Sequence, residues 1–154
     1  MQPVKIILAK PMIAAISLFL ATGLNAAHGQ ETEKIDLVRD AFEAAGYSVV
    51  PFSDDIVFGS KPGSRIAGGV GGNDEDVSFM VYTDLTQSTF SFERLNTFNS
   101  TVKFGRVYFG TGGEAVIQLD RNTTGGVTME NLKSDIQVMA LLQRKLEQDA
   151  AAAD

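Results

Sequence analysis

The 154-residue chain has no cysteine and no tryptophan, and its one histidine, His28, stands close to the N-terminus. Without cysteine there is no disulfide framework, no thiolate nucleophile and no Cys-based metal site, so stability has to come from packing. Positive charge is also scarce, with 13 Lys and Arg against 19 Asp and Glu and no basic cluster. That balance argues against nucleic-acid partners, because phosphate binding rests on Lys and Arg displacing counterions. Long apolar runs are missing as well. The single run, Met12 to Leu24, falls short of the roughly 20 residues a helical membrane span needs.

What is present begins with that run. Lys5 and Lys10 are the only charges before Glu31, and small residues (Ala26, Ala27, Gly29) close the segment. A basic start, a short apolar middle and a small-residue end predict a secretory signal peptide over residues 1–29. Cleavage is expected before Gln30, with cleavage before His28 as the competitor and an uncleaved anchor as the third reading. No cysteine follows the run, which excludes a lipoprotein anchor. Removal of Lys5 and Lys10 takes the net charge from −6 to −8. The mature chain is expected in the periplasm or outside a bacterial cell, with no membrane span after cleavage. It is long enough for one domain, residues 30–149, followed by a disordered tail over 150–154.

Ile35, Val38, Phe42 and Ala45 fall at helical spacing and predict a first helix over Thr32–Ala45, stopped by Gly46. Tyr47–Phe52 reads as a short strand that Pro51 confines to an edge or an end, and Ile56–Phe58 as a second strand. Gly59–Asp76, with its Pro62-Gly63 and Gly68–Gly72 runs, reads as a long flexible connection holding a little strand at Arg65–Ala67. Val77–Thr83 alternates without a plainly wet face, which predicts a central strand. A middle helix is expected over Phe92–Val102. Phe104–Phe109 and Glu114–Asp120 flank the Gly110–Gly113 hairpin, in a register that sets Arg106 opposite Ile117 and Lys103 opposite Asp120. Gly125-Gly126 breaks the chain, and Thr128 caps a last helix to about Glu147. The order α-β-β-β-α-β-β-α predicts an α+β domain with three helices and an antiparallel sheet of about five strands.

Chemistry is sparse. With His28 in the removed segment, a Ser-His-Asp triad, a Cys-His pair and His-containing metal sites are excluded. Asp54-Asp55 and the Asp74–Asp76 stretch are the remaining acid–base candidates, though adjacent carboxylates in turns are usually solvated. Asn73, Asp74 and Asp76 offer oxygen ligands for Ca²⁺ but lack the full loop pattern and its distal Glu. Gly68–Gly72 lacks the Lys-Ser/Thr that follows a phosphate loop. No cofactor is called for.

The most specific stretch runs from Leu95 to Leu146. It holds Leu95-Asn96-Thr97-Phe98-Asn99, Lys103-Phe104-Gly105-Arg106-Val107-Tyr108, Asp120, Gly125-Gly126-Val127-Thr128 and Glu130-Asn131-Leu132. In order and spacing this resembles the YbjN-domain family of bacterial sensory transduction regulators. Where many members carry Trp, this chain has Phe98, and many members have no signal peptide. The resemblance implies a fold similar to type III secretion chaperones, which commonly work as dimers, and no established reaction. Asn96, Asn99, Arg106 and Asp120 then have two readings: a structural network fixing helix to hairpin, or a polar patch that binds a partner. Gly125 and Gly126 read as backbone-geometry positions. On the last helix Gln143 interrupts an apolar face between Leu142 and Leu146, which marks these three as a candidate interface. The leading expectation is a non-enzymatic protein-binding, chaperone-like or regulatory module of the envelope, with a protein partner or a second copy. A small-ligand or Ca²⁺ sensor and a carboxylate-dependent hydrolase are the alternatives.

Overall fold

The computed structural model describes residues 28–71 and 76–152, with side chains described from Lys34 onward. The element order is α1 (His28–Ala44), β1 (Ser48–Pro51), β2 (Ile56–Lys61), β3 (Ser64–Val70), β4 (Asp76–Thr86), α2 (Phe92–Thr101), β5 (Arg106–Phe109), β6 (Glu114–Asn122) and α3 (Met129–Ala151). The segment expected as a leader lies outside the described residues except for His28 and Gly29, which open α1. Asn73, Asp74 and Glu75 lie outside them too. Among the described residues no helix is long and apolar enough to cross a membrane.

The sheet has six antiparallel strands in the order β1-β2-β3-β4-β6-β5. The extra strand comes from the glycine-rich stretch expected as a long connection, where the little strand expected at Arg65–Ala67 extends over Ser64–Val70. β2 runs on through Gly59 to Lys61, Pro62-Gly63 makes a two-residue turn with Gly63 at φ +75°, and β3 returns through Gly68 and Gly69. These glycines are a packing device. A Cβ on Gly68 would lie 2.7 Å from Phe42 Cε2 and 2.9 Å from Val38 Cγ1, and one on Gly59 would overlap the Phe42 ring. The missing side chains let α1 sit directly on β2 and β3, so Phe42 is wholly buried.

α1 ends as its sequence predicts. Gly46 (φ +78°) donates to Glu43 O at 2.9 Å and Tyr47 donates to Phe42 O at 3.0 Å, the paired bonds of a Schellman stop. The rings of Tyr47 and Phe42 meet edge-on at 5.6 Å, supplying the apolar contact such a stop usually carries. α3 starts on a capping box between Thr128 and Asn131 and continues to Ala151, past the expected end near Glu147. Ala150 and Ala151 therefore belong to the helix rather than to a tail, and Arg94 of α2 donates to the carbonyls of Asp149 and Ala150.

The hairpin register is one residue from the expected one. Arg106 faces Gln118, Val107 faces Ile117 and Phe109 faces Ala115. Gly110 N donates to Glu114 O at 2.8 Å, so the pairing runs one residue further into the loop than assumed. The expected register would have set Arg106 against Ile117, a residue with no exposed surface. The observed one keeps Val107, Ala115, Ile117 and Leu119 together on the core side. Lys103 is not paired with Asp120; Arg106 is, at 3.0 Å.

The three helices among the described residues pack on one face of the sheet. Phe42, Phe79, Phe98, Leu132, Ile136 and Met139 are at the centre of that core. α3 is tied to β6 by the ion pair of buried Asp135 with Arg121.

Candidate functional site

The residues singled out in the sequence do not form one patch. Asn99 lies at the helix-side edge, where its side-chain amide bonds both backbone groups of Val107 in edge strand β5. Asn96, one turn earlier, is exposed. Arg106 and Asp120 lie on the opposite face of the sheet. There Asp120 accepts from the buried Ser78 hydroxyl at 2.6 Å, from Gln118 at 2.8 Å and from Arg106 at 3.0 Å. Gly125 and Gly126 take φ +86° and +103°, leading into the Thr128 cap.

The expected interface on α3 is occupied within the chain. Leu142 and Leu146 are buried in the core. Gln143 accepts from Ser64 at 3.2 Å and donates to Glu147 at 2.9 Å and to the carbonyl of Gly63 at 3.4 Å. The amide on the helix face is thus answered by the β2–β3 turn, which the loop reading of that segment hid. The exposed apolar residue of α3 is Leu141.

Asp54 and Asp55 form the β1–β2 turn, where Asp55 accepts from Ser53 through its side chain and from Val70 N–H through its carbonyl. Among the described residues no three carboxylate, Cys or His side chains are grouped to hold a metal.

The face of the sheet away from the helices has its own organisation. Strand register sets Val50, Phe58, Ala67, Met80, Gln118 and Arg106 in one row across all six strands. A parallel row runs Ile56, Gly69, Ser78, Asp120. Each row passes from apolar at β1 and β2, through a small residue on β3, to polar at β6. Because Ala67 and Gly69 are small while Phe58, Ile56, Met80 and Tyr82 around them are large, β3 becomes the floor of a shallow concavity of about 20 Å³. Its walls are held: Phe52 meets Phe58 edge-on at 5.5 Å, the Arg65 guanidinium lies 5.1 Å from the Phe58 ring centre, and Tyr82 donates to Met80 Sδ at 3.4 Å. Val50 and Phe52, at 59% and 48% exposure, form an apolar ridge along its outer side.

Tyr82 and Tyr108 flank Val116 across β4, β6 and β5 on this same face. Burial pushes both phenols above their ordinary value. For Tyr82 the charges of Tyr108 and Glu114 add to that; for Tyr108, Arg106 opposes it while Asp120 and Glu114 add. The face thus combines an apolar notch, a carboxylate network and two half-buried phenols. The sequence carried a signal for it in the alternation of Ser78, Met80 and Tyr82, which left neither face of β4 plainly wet. What it hid was the full length of β3, of which only Arg65–Ala67 was expected as strand and whose glycines broke the pattern beyond.

Comparison with known proteins agrees with this architecture. The family model described as "Putative bacterial sensory transduction regulator", YbjN, matches residues 34–142, well over half of the chain. The crystal structure of YbjN from E. coli, described as a putative transcription regulator, superposes with a TM-score of 0.53 at 13% identity, covering 74% of this chain and 93% of that one. At that identity the likeness is one of fold. No curated protein matches the chain. The chain belongs to the YbjN family.

Proposed function

We propose that this YbjN-family chain is an exported, non-catalytic regulatory module of the bacterial envelope that binds a protein partner through the helix-free face of its sheet. The observation that carries the reading is the row Val50–Phe58–Ala67–Met80, which places an apolar ridge and notch beside the Asp120 network on a face no described helix covers. A sheet face packed on one side only normally alternates to polar residues on the other. Here Ile56, Phe58, Met80 and Val116 stand where polar residues would be expected, outside the helix-packed core. The notch favours the tip of a protein side chain over a free small molecule, since ligand pockets typically enclose about 300–1,000 Å³. Export rests on Lys5, Lys10, the Met12–Leu24 run and the small residues before Gln30.

Two measurements test this. Intact mass of the protein from the periplasmic fraction should correspond to a chain beginning at Gln30, or at His28 as second choice; full-length chain in the cytoplasm would remove the envelope assignment. A photo-crosslinking residue at Ala67, compared in intact cells with one at the exposed Gln137 on α3, should capture a partner only from the sheet face. A second copy is the other protein this face could meet. Light scattering over a concentration series tells a homodimer from a monomer that awaits a different partner.

A further inference from the structure

Glu114 opens β6 on the same helix-free face, two residues before Val116 and across from Thr86. Its Oε2 is buried without a hydrogen-bond partner, the one such side-chain atom among the described residues. The hairpin loop shelters it: a Cβ on Gly110 would lie 2.7 Å from Oε1, and one on Gly112 would overlap Oε2. Glycine at both positions is what admits the carboxylate. A half-buried carboxylate with an oxygen that meets no donor is costly, because it has left water without replacement hydrogen bonds. Glu114 as a whole is partly exposed, and Oε1 is not among the buried unpartnered atoms. Charge is shared between the two oxygens, so a cation seated at Oε1 also compensates Oε2. Tyr82 and Tyr108 stand beside it with π faces and hydroxyls suited to a guanidinium or ammonium group.

We propose that Glu114, flanked by Tyr82 and Tyr108, is the receptor for a basic side chain of the polypeptide partner. The proposal rests on the helix-free face being a docking surface and names the chemistry at one end of it. The chain's acidic balance, 19 Asp and Glu against 13 Lys and Arg, favours such a partner over an acidic one. From strand spacing and rise, Glu114 stands roughly 16 Å from Ala67, the near end of the notch. An extended partner segment would therefore carry its Arg or Lys about five residues from the apolar side chain that fills the notch.

The test is a backbone-amide NMR titration of the full chain as purified, using Nα-acetyl-arginine amide and its neutral isostere Nα-acetyl-citrulline amide. Saturable shifts at Tyr108, Glu114 and the Gly110–Gly113 loop are expected with the arginine probe, binding about fivefold more tightly than citrulline, the size expected of a partly exposed ion pair. Glu114→Gln should bring arginine down to the citrulline level. Equal binding of the two probes to the unaltered protein would overturn the proposal, and so would an undiminished arginine response in Glu114→Gln. Because the two probes are compared on the unaltered chain, the test survives even if the variant folds poorly. Crosslinking at Ala67 without an arginine response would remove the cation receptor and leave the docking face; an arginine response without crosslinking would do the reverse.

Discussion

Asn99 and Val107 are joined twice, the side-chain amide donating to the Val107 carbonyl at 2.9 Å and its oxygen accepting from the Val107 N–H at 2.8 Å. Val107 lies on β5, the outer strand of the sheet, so these backbone groups have no neighbouring strand. One side chain of α2 stands in for that strand and closes the edge against pairing with another chain. Asn99→Ala should lose both bonds and strand two backbone groups, costing about 1–3 kcal/mol. A thermal melt should fall by several degrees, and an unchanged melt would show that water replaces the amide without loss.

Asp120 and Arg106, although ion-paired, should behave unequally. Asp120 accepts from Ser78, whose side chain is buried, whereas Arg106 is 60% exposed. Asp120→Ala leaves the Ser78 hydroxyl without its acceptor and should cost about 1–3 kcal/mol. Arg106→Ala removes a surface pair worth about 0–1 kcal/mol. Urea melts of the two variants should separate clearly. Equal losses would mean that Arg106 holds the network as firmly as Asp120 does.

Gly68 and Phe42 supply a test of helix-on-sheet contact. Gly68→Ala drives a methyl group into the Phe42 ring at 2.7 Å, and overpacking of this kind typically costs about 1–3 kcal/mol. Phe42→Leu alone leaves a cavity. The double variant should be more stable than the two separate losses predict, because the smaller side chain makes room for the methyl. Simple additivity in a double-mutant cycle would show that α1 shifts as a body instead.

That same contact explains what was and was not legible in the sequence. The three helices could be read because their apolar spacing is local and their stops and caps, Gly46 and Thr128, are chemical. Of β3 only the short piece at Arg65–Ala67 could be read, because Gly68 is a strand residue by virtue of Phe42 and Val38, which are distant in sequence. The hairpin itself was legible from Gly110–Gly113, but its register was not. Charge pairing suggested Lys103 with Asp120, while burial of Val107 and Ile117 against the helices decided otherwise. Asn99 and Asp120 stood out as polar residues, yet only strand alternation shows that they serve opposite faces.

Tyr82 and Tyr108 predict how stability responds to alkali. In the unfolded chain both phenols would ionise near the ordinary value of 10.0, while in the fold they hold their protons to higher pH. Between those values the folded state binds more protons, so stability falls as pH rises. Their contribution is complete below pH 10.0 and disappears as the folded phenols ionise. A Tyr82→Phe/Tyr108→Phe variant should show a flatter decline in alkaline melts, and difference absorbance of the native protein should show phenolate appearing late. An identical decline in both proteins would mean that other groups set the alkaline limit.

The pair between Arg121 on β6 and Asp135 on α3 is the last case, and the order of substitution matters. Asp135 is nearly buried, with 7% of its side chain exposed, and Arg121 is 34% exposed. Arg121 Nη2 donates to Asp135 Oδ1 at 2.7 Å and Nε donates to Oδ2, a two-pronged contact that pushes the Arg121 pKa up. Removing the arginine alone leaves a buried carboxylate without its partner. Arg121→Met should therefore cost toward the low end of the roughly 3–5 kcal/mol seen when a buried pair is broken, since part of Arg121 is already in water. Replacing both, Arg121→Met with Asp135→Leu, removes the desolvation cost together with the attraction and should restore most of the stability. Urea melts of the single and double variants near neutral pH make the comparison. A double variant as unstable as Arg121→Met would mean that the pair itself, and not relief of a stranded charge, docks α3 on the sheet.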